Sequence, residues 1–181
     1  MKALIAVADG SESLETVTLI NVLRRGDCEV QLASVSGRLA VEMTRGITLH
    51  ADLLIEQARE HTYDAIILPG GERGAEAFAG CAPLIEMLKA QRLAHRWFGA
   101  ICAAPALALA PHGLLDGKQA TCYPSFRERL LHWVDRAVVV DGHCITSQGP
   151  ATAIAFALEW VEQLQGHEQR RRVAQALLAE A

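Results

Sequence analysis

The chain alternates between short apolar segments and longer amphipathic segments, and this alternation predicts its secondary structure. Several apolar segments are continuous, which is typical of strands that helices cover on both faces. The predicted strands are Ala3–Ala8, Cys28–Ser34, Ala65–Leu68, Trp97–Ile101, Ala137–Val140 and Cys144–Ser147. The predicted helices are Glu12–Arg25, Ala75–Phe78, Leu84–Leu93, Ala103–Ala110, Ser125–Leu131, Ala151–Leu164 and Glu168–Leu178.

The order of these elements predicts an α/β fold. Strands and helices alternate with crossovers long enough for right-handed βαβ units, so we expect a mostly parallel central sheet with helices on both faces. Between residues 37 and 50, two short runs flank Arg45-Gly46, which predicts a small antiparallel hairpin inserted after the second strand. Asp141-Gly142 predicts the turn of a second hairpin. No linker or repeat interrupts residues 1–181, so we expect a single domain.

Composition and charge narrow the class of protein. The chain has 181 residues, of which 51% are hydrophobic and 21% charged, as expected for one domain with a packed core. Its 17 basic and 21 acidic residues give a net charge of −4, so we expect no stable nucleic-acid complex. No apolar run reaches the roughly 18 residues that a membrane span needs. The apolar N-terminal run is interrupted at Asp9–Glu12, which favours a buried strand over a signal peptide.

The cysteines point to a reducing compartment. There are five, an odd number, and none forms a C-x-x-C pair. This usage argues against a disulfide framework and against a zinc site, and we therefore expect a cytoplasmic protein that holds no metal.

One cysteine lies where a nucleophile would be expected. Cys102 directly follows the predicted strand Trp97–Ile101 and precedes a small-residue helix, the arrangement of a nucleophile elbow. The positive end of that helix would favour the thiolate form of the sulfur. The alternative, that Cys102 is an ordinary buried cysteine of the core, stays open at this point.

Two further strand ends carry residues that could serve the same site. Gly70 and Gly71 follow a buried strand, and the N–H of Gly71 could pair with that of Ala103 as an oxyanion hole, although a plain turn explains the glycines equally well. Glu15 lies in the first turn of the first helix, where acidic residues are ordinary partners of the helix dipole. A carboxyl beside a thiolate would instead have its pKa raised by desolvation and by the like charge, and would stay protonated.

Four motifs occur in order along nearly the whole chain. They are Leu14–Val17, Asp64–Gly71, Ala100–Pro105 and Thr146–Pro150. Together they closely resemble the ThiJ/PfpI superfamily, in the branch that contains the Parkinson-disease-associated deglycase and the bacterial chaperone YajL. The resemblance implies a flavodoxin-like three-layer sandwich that is usually a homodimer.

The resemblance also implies roles for individual residues. Cys102 matches the family's nucleophilic, oxidation-sensitive cysteine, and Glu15 matches the protonated glutamate that hydrogen-bonds it. Gly71 and Ala103 match the backbone donors of the oxyanion site, which Gly70 borders.

Three more residues are placed near the pocket by the resemblance. Arg25 and Arg45 match arginines that approach the pocket near the dimer interface. Tyr123 stands in a loop where the branch with the human protein has a histidine, so a Cys–His pair is missing there. We interpret Tyr123 as a wall of the pocket that can donate a hydrogen bond.

The resemblance implies a cofactor-independent glyoxalase or deglycase. Its substrates would be methylglyoxal, glyoxal or their adducts on proteins and nucleotides, and its enzyme class a hydro-lyase or a hydrolase. The alternative is a non-enzymatic oxidative-stress sensor and chaperone that uses the same oxidisable cysteine.

Two other classes of enzyme in this superfamily do not fit the sequence. A cysteine protease needs a histidine directly after the nucleophile, where this chain has Ala103. A glutamine amidotransferase needs a downstream histidine and glutamate, which residues 147–150 do not provide.

Overall fold

The fold is built on a seven-stranded sheet. The computed structural model describes residues 1–179. The strands are β1 (Lys2–Val7), β2 (Glu29–Ser34), β5 (Leu53–Leu54), β6 (Ala65–Leu68), β7 (Trp97–Ile101), β8 (Val138–Asp141) and β9 (Cys144–Ser147), with β3 (Ala40–Glu42) and β4 (Thr48–His50) forming a separate antiparallel pair. The sheet order is β5-β2-β1-β6-β7-β9-β8, and every pairing in it is parallel except that of β8 with β9. The predicted parallel sheet and both hairpins are thereby confirmed.

Six α-helices surround the sheet, and shorter turns of helix join them. The α-helices are α1 (Ser13–Arg25), α2 (Ile55–Ala58), α3 (Glu72–Gly80), α4 (Ala82–Leu93), α5 (Ala153–Gln165) and α6 (His167–Leu177). Among residues 1–179, none of the helices is both long enough and apolar enough to cross a membrane.

The core lies on both faces of the sheet because the central strands are apolar on both sides. Along β1, Leu4 and Ala6 pack into one hydrophobic cluster with α3 and α4, while Ala3, Ile5 and Val7 pack into another with α1, α5 and α6. Successive side chains of a strand point to opposite faces, so a continuous apolar run can supply both clusters. The coverage of both faces that the continuous runs predicted is confirmed, and so is the three-layer sandwich that the resemblance implies.

Several element predictions were wrong in their details. The predicted helix Ala103–Ala110 is a wider π-type turn over Pro105–Leu109 followed by a 3₁₀ turn over Ala110–His112. Pro111 has no N–H to donate, so a regular α-helix could not continue through it. The predicted helix Ser125–Leu131 is a 3₁₀ segment, Pro124–Arg129, of which only Phe126 packs on the core. The short β5 and α2 were missed, since neither is long enough to show a periodicity.

Candidate active site

Cys102 lies on a strained turn at the carboxyl end of β7. Its φ angle is 64°, in the left-handed region that side chains other than glycine rarely adopt. Two backbone hydrogen bonds hold it there: its N–H donates to the carbonyl of Ser147 at 3.0 Å, and its carbonyl accepts from the N–H of Tyr123 at 2.7 Å. The residue is half-buried, so it is not a fully interior side chain. This backbone has the form of the expected nucleophile elbow.

Glu15 lies on the buried side of α1, one turn from the helix start. Its side chain shares the sheet-facing side of α1 with Leu19 and Val22 and is fully buried. The carboxyl oxygen Oε2 accepts a hydrogen bond from the N–H of Gly70 at 2.7 Å. Among residues 1–179, the other oxygen, Oε1, is buried without a hydrogen-bond partner, and the interaction of the carboxyl with Cys102 alters the pKa of both groups.

The Gly70-Gly71 loop fills the space between Glu15 and Cys102. A methyl group placed on Gly70 would lie 2.4 Å from Cβ of Cys102 and 2.6 Å from Oε2 of Glu15. Gly71 has a φ of 84°, and a methyl group there would lie 2.2 Å from the carbonyl oxygen of Gly10. Both positions therefore require glycine for space, and Gly71 requires it for backbone conformation as well.

Burial raises the pKa of both acids of the site. Burial is the largest cause that raises the pKa of Glu15 from 4.5 to about 7. Burial, followed by the charge of the Glu15 carboxylate, raises the pKa of Cys102 to about 12, while backbone hydrogen bonds from Gly71 and Ala103 act in the opposite direction. The sequence predicted that the helix would lower the thiol pKa, and this was wrong: burial, which is the largest cause, and the Glu15 charge raise it.

Between these two pKa values the pair holds a single proton, which these values place mainly on the Cys102 sulfur. A carboxylate and a thiolate in contact repel each other, so the second proton is lost only at high pH. A thiolate at Cys102 near neutral pH therefore requires the proton to lie on Glu15. The N–H groups of Gly71 and Ala103 stabilise this arrangement because they donate to the sulfur.

Tyr123 contributes to the site in two ways. Its backbone N–H, which the sequence did not single out, holds the Cys102 turn. Its ring is partly exposed and packs against Gly149, where an added methyl group would lie 3.2 Å from Cδ2 of the ring. Ser147, which binds the N–H of Cys102, was also missed, because its contact is made through the main chain and leaves no signature in residue type.

The two arginines lie outside the immediate surroundings of the sulfur. Arg25 is exposed in the last turn of α1, where its Nε donates to Asn21 at 2.8 Å. Ten residues of helix, about 15 Å, separate it from Glu15, so within the single chain it is not a pocket residue. Arg45 has a φ of 62° and lines a surface cavity of about 580 Å³ together with Glu12 and Leu14, next to the site.

Fold and site together define a class of protein: a flavodoxin-like sandwich with a cysteine elbow at the carboxyl end of a central strand and a buried glutamate beside it. The family model described as "DJ-1/PfpI family" matches residues 1–163. The chain belongs to the DJ-1/PfpI family.

Named relatives cover most of the chain. It is 44% identical to "Protein DJ-1 homolog B" of Arabidopsis thaliana over 97% of this chain, and it spans 40% of the length of that relative. It is 33% identical to "Glutathione-independent glyoxalase DJR-1.2" of Caenorhabditis elegans, over 93% of this chain and 91% of the relative. Among solved structures, "Toxoplasma gondii DJ-1, oxidized" superposes with a TM-score of 0.98 at 41% identity and covers 99% of both chains.

Proposed function

We propose that the chain is a cofactor-independent glyoxalase or deglycase that acts on small dicarbonyls such as methylglyoxal and glyoxal, or on their adducts. The observation that carries this proposal is the contact of a strained, half-buried cysteine with a fully buried glutamate. The glyoxalase named among the relatives supports the same chemistry. The class of enzyme would be a hydro-lyase for the free dicarbonyl and a hydrolase for an adduct.

The first step uses the arrangement in which Glu15 carries the shared proton. The Cys102 thiolate attacks the aldehyde carbon of methylglyoxal, and a carbon–sulfur bond forms. The aldehyde oxygen becomes negatively charged, is held by the N–H groups of Gly71 and Ala103, and receives the proton of Glu15. The product of this step is a hemithioacetal beside a Glu15 carboxylate.

The later steps return the site to its starting state. The Glu15 carboxylate removes the proton from the carbon bound to sulfur and delivers it to the neighbouring carbon, while the hydroxyl proton of the hemithioacetal passes to the ketone oxygen. The hemithioacetal and ketone thereby become a thioester and an alcohol. Water then hydrolyses the thioester, releasing lactate and the free thiol. Methylglyoxal and one water are consumed for each lactate formed, and no external oxidant or reductant is needed.

The test is lactate formation from methylglyoxal by the fully reduced protein. We expect Cys102→Ser to abolish turnover, and Glu15→Gln to reduce kcat by about 10²–10⁴-fold, since an amide cannot carry the proton. Cys122→Ser is the matched control, because Cys122 is buried beside Tyr123 and has no role in the proposed steps. Lactate formation that persists in Cys102→Ser would overturn the proposal.

A second candidate function is a redox sensor that uses the same sulfur. The half-buried Cys102 is open to peroxide, the N–H groups that donate to its sulfur could also hold sulfinate oxygens, and a similar structure is described as oxidized. If wild-type protein forms no lactate but peroxide adds two oxygens to Cys102 alone among the five cysteines, the sensor is favoured.

We also propose that a second copy of the chain covers the face next to the site. Leu14, Val17 and Ile47 are exposed at 53%, 49% and 45% on this face. Val17 borders both the cavity lined by Arg45 and a second cavity lined by Arg25, so the two arginines lie on one continuous surface. Exposed apolar side chains in such a patch are typical of an interface, in agreement with the homodimer that the resemblance implies.

A further inference from the structure

A separate cavity, which is not one of the two lined by Arg25 and Arg45, lies at the opposite end of the sheet from Cys102. It has a volume of about 200 Å³ and lies between the end of α2, the residues before β6, and α4. Tyr63 and Arg96, which line it, precede the amino ends of β6 and β7. Cys102 follows the carboxyl end of β7, so the length of that strand, about 16 Å, separates the two places.

Arg96 is held at this cavity by a buried glutamine. The Gln91 side chain is 2% exposed, and its Nε2 donates to the carbonyls of Tyr63 at 3.1 Å and Trp97 at 3.0 Å. Its Oε1 accepts from Nε of Arg96 at 2.6 Å. Every polar group of Gln91 is therefore engaged, and the guanidinium of Arg96 is fixed through Nε. No carboxylate of residues 1–179 pairs with Arg96, which leaves its two terminal nitrogens free to donate.

The other charged side chains of the cavity have the same sign. Arg59 lines it with Arg96, His61 adds an imidazole, and among residues 1–179 no acidic side chain lines it. Arg59 also contacts Glu86 at 3.6 Å, but both side chains are about half-exposed or more, so this ion pair is weak and an anion could replace it.

We propose that this cavity is a binding site for a small phosphate-type oxyanion, held between the guanidinium groups of Arg96 and Arg59. A planar guanidinium donates two hydrogen bonds in a fork that matches phosphate oxygens, and a guanidinium that is already oriented loses little entropy on binding. The volume is below that of ordinary cofactor pockets, so the ligand is inorganic phosphate or a short phosphate monoester and not a nucleotide.

The test is a titration of the ¹⁵N-labelled full chain with sodium phosphate, and separately with glycerol 3-phosphate, at constant ionic strength set with sodium chloride. We expect saturable shifts of the amide signals of Thr62 and Ala90. Arg96→Gln and Arg59→Gln should each weaken binding about ten-fold, because each removes a charge-assisted contact. Arg38→Gln, which removes an arginine paired with Asp9 elsewhere on the surface, should leave binding unchanged.

The two ligands distinguish the source of the phosphate group. Shifts with inorganic phosphate alone assign the site to the free anion, and tighter binding of glycerol 3-phosphate assigns it to a monoester. Shifts that do not saturate, or that chloride reproduces, would overturn the proposal. The same holds if both Arg96→Gln and Arg59→Gln bind phosphate as wild type does. Arg59 is an exposed surface residue, so Arg59→Gln should fold. If Arg96→Gln does not fold, Arg59→Gln alone still decides the test.

Discussion

The backbone N–H of Gly70 donates a hydrogen bond of 2.7 Å to the carboxyl oxygen Oε2 of Glu15, fifty-five residues away in the chain. This contact connects the first turn of α1 to the loop after β6 and positions the carboxyl against Cys102. It is also the only hydrogen bond to Oε2 among the described residues, whereas Oε1 is buried without a partner.

The shared proton predicts two separated titrations of the site. We expect the Glu15–Cys102 pair to lose one proton with an apparent pKa of about 7 and the other at about 12. In Glu15→Gln only the thiol titrates, and its pKa falls below 12 because the carboxylate charge is absent. The measurement is the rate of alkylation of Cys102 by iodoacetamide from pH 5 to 11, in a Cys81→Ser background because Cys81 is also partly exposed. This range covers the step near 7 in wild type and the lowered thiol pKa in Glu15→Gln. An unchanged pH profile in Glu15→Gln would contradict the sharing of a proton.

The raised pKa of Glu15 also predicts how stability depends on pH. The folded protein binds this proton between pH 4.5 and about 7, whereas the unfolded chain has released it. The contribution of Glu15 to the free energy of unfolding is therefore fully present below pH 4.5 and falls by about 3 kcal/mol as the pH rises through 7.

Urea denaturation at pH 4.5 and pH 8 measures this dependence. Glu15→Gln should lack the fall, because the amide does not titrate. Glu72→Gln, which replaces an exposed carboxyl in the first turn of α3, should retain the wild-type dependence. If wild type and Glu15→Gln lose the same stability between the two pH values, Glu15 is not the group responsible.

Gly70→Ala should disrupt the site while leaving most of the fold intact. The added methyl group would meet Cβ of Cys102 at 2.4 Å, so the loop or the elbow has to move. We expect a loss of stability of about 1–3 kcal/mol from overpacking and a fall in kcat/KM of about 10²-fold. Gly80→Ala is the control, because a methyl group there has nothing within 4 Å. Equal activity of the two variants would show that the close packing around Gly70 is not required.

The proposed dimer predicts a change of oligomeric state on substitution of Val17. Val17→Glu places a charge in the centre of the apolar face, which would be costly to bury, so we expect a monomer. Leu93→Glu is the matched control, since Leu93 is 82% exposed at the end of α4. Sedimentation velocity distinguishes the two states. A wild-type monomer, or a Val17→Glu dimer, would refute the assignment of this face.

Regular elements were predictable wherever the apolar pattern was long and continuous. The buried runs of β1, β6 and β7 and the Asp141-Gly142 turn are local features, and each is read from a few neighbouring residues. The segment after Cys102 was not predictable in this way. Its small apolar residues suit an α-helix, whereas the structure has a π-type turn that begins at Pro105 and packs on α3.

The amino-acid sequence by itself determined the α/β class, the position of Cys102 at a strand end and the glycines beside it, because these depend on residue type and on short spacings. The tertiary structure decided which groups meet. It paired Glu15 with Gly70, left Arg25 one helix length from the site, and anchored Cys102 through main-chain atoms of Ser147 and Tyr123. It also decided that the pKa of Cys102 is raised. The shift depends on how deeply the thiol is buried and how near the Glu15 charge lies, and a local sequence pattern gives neither.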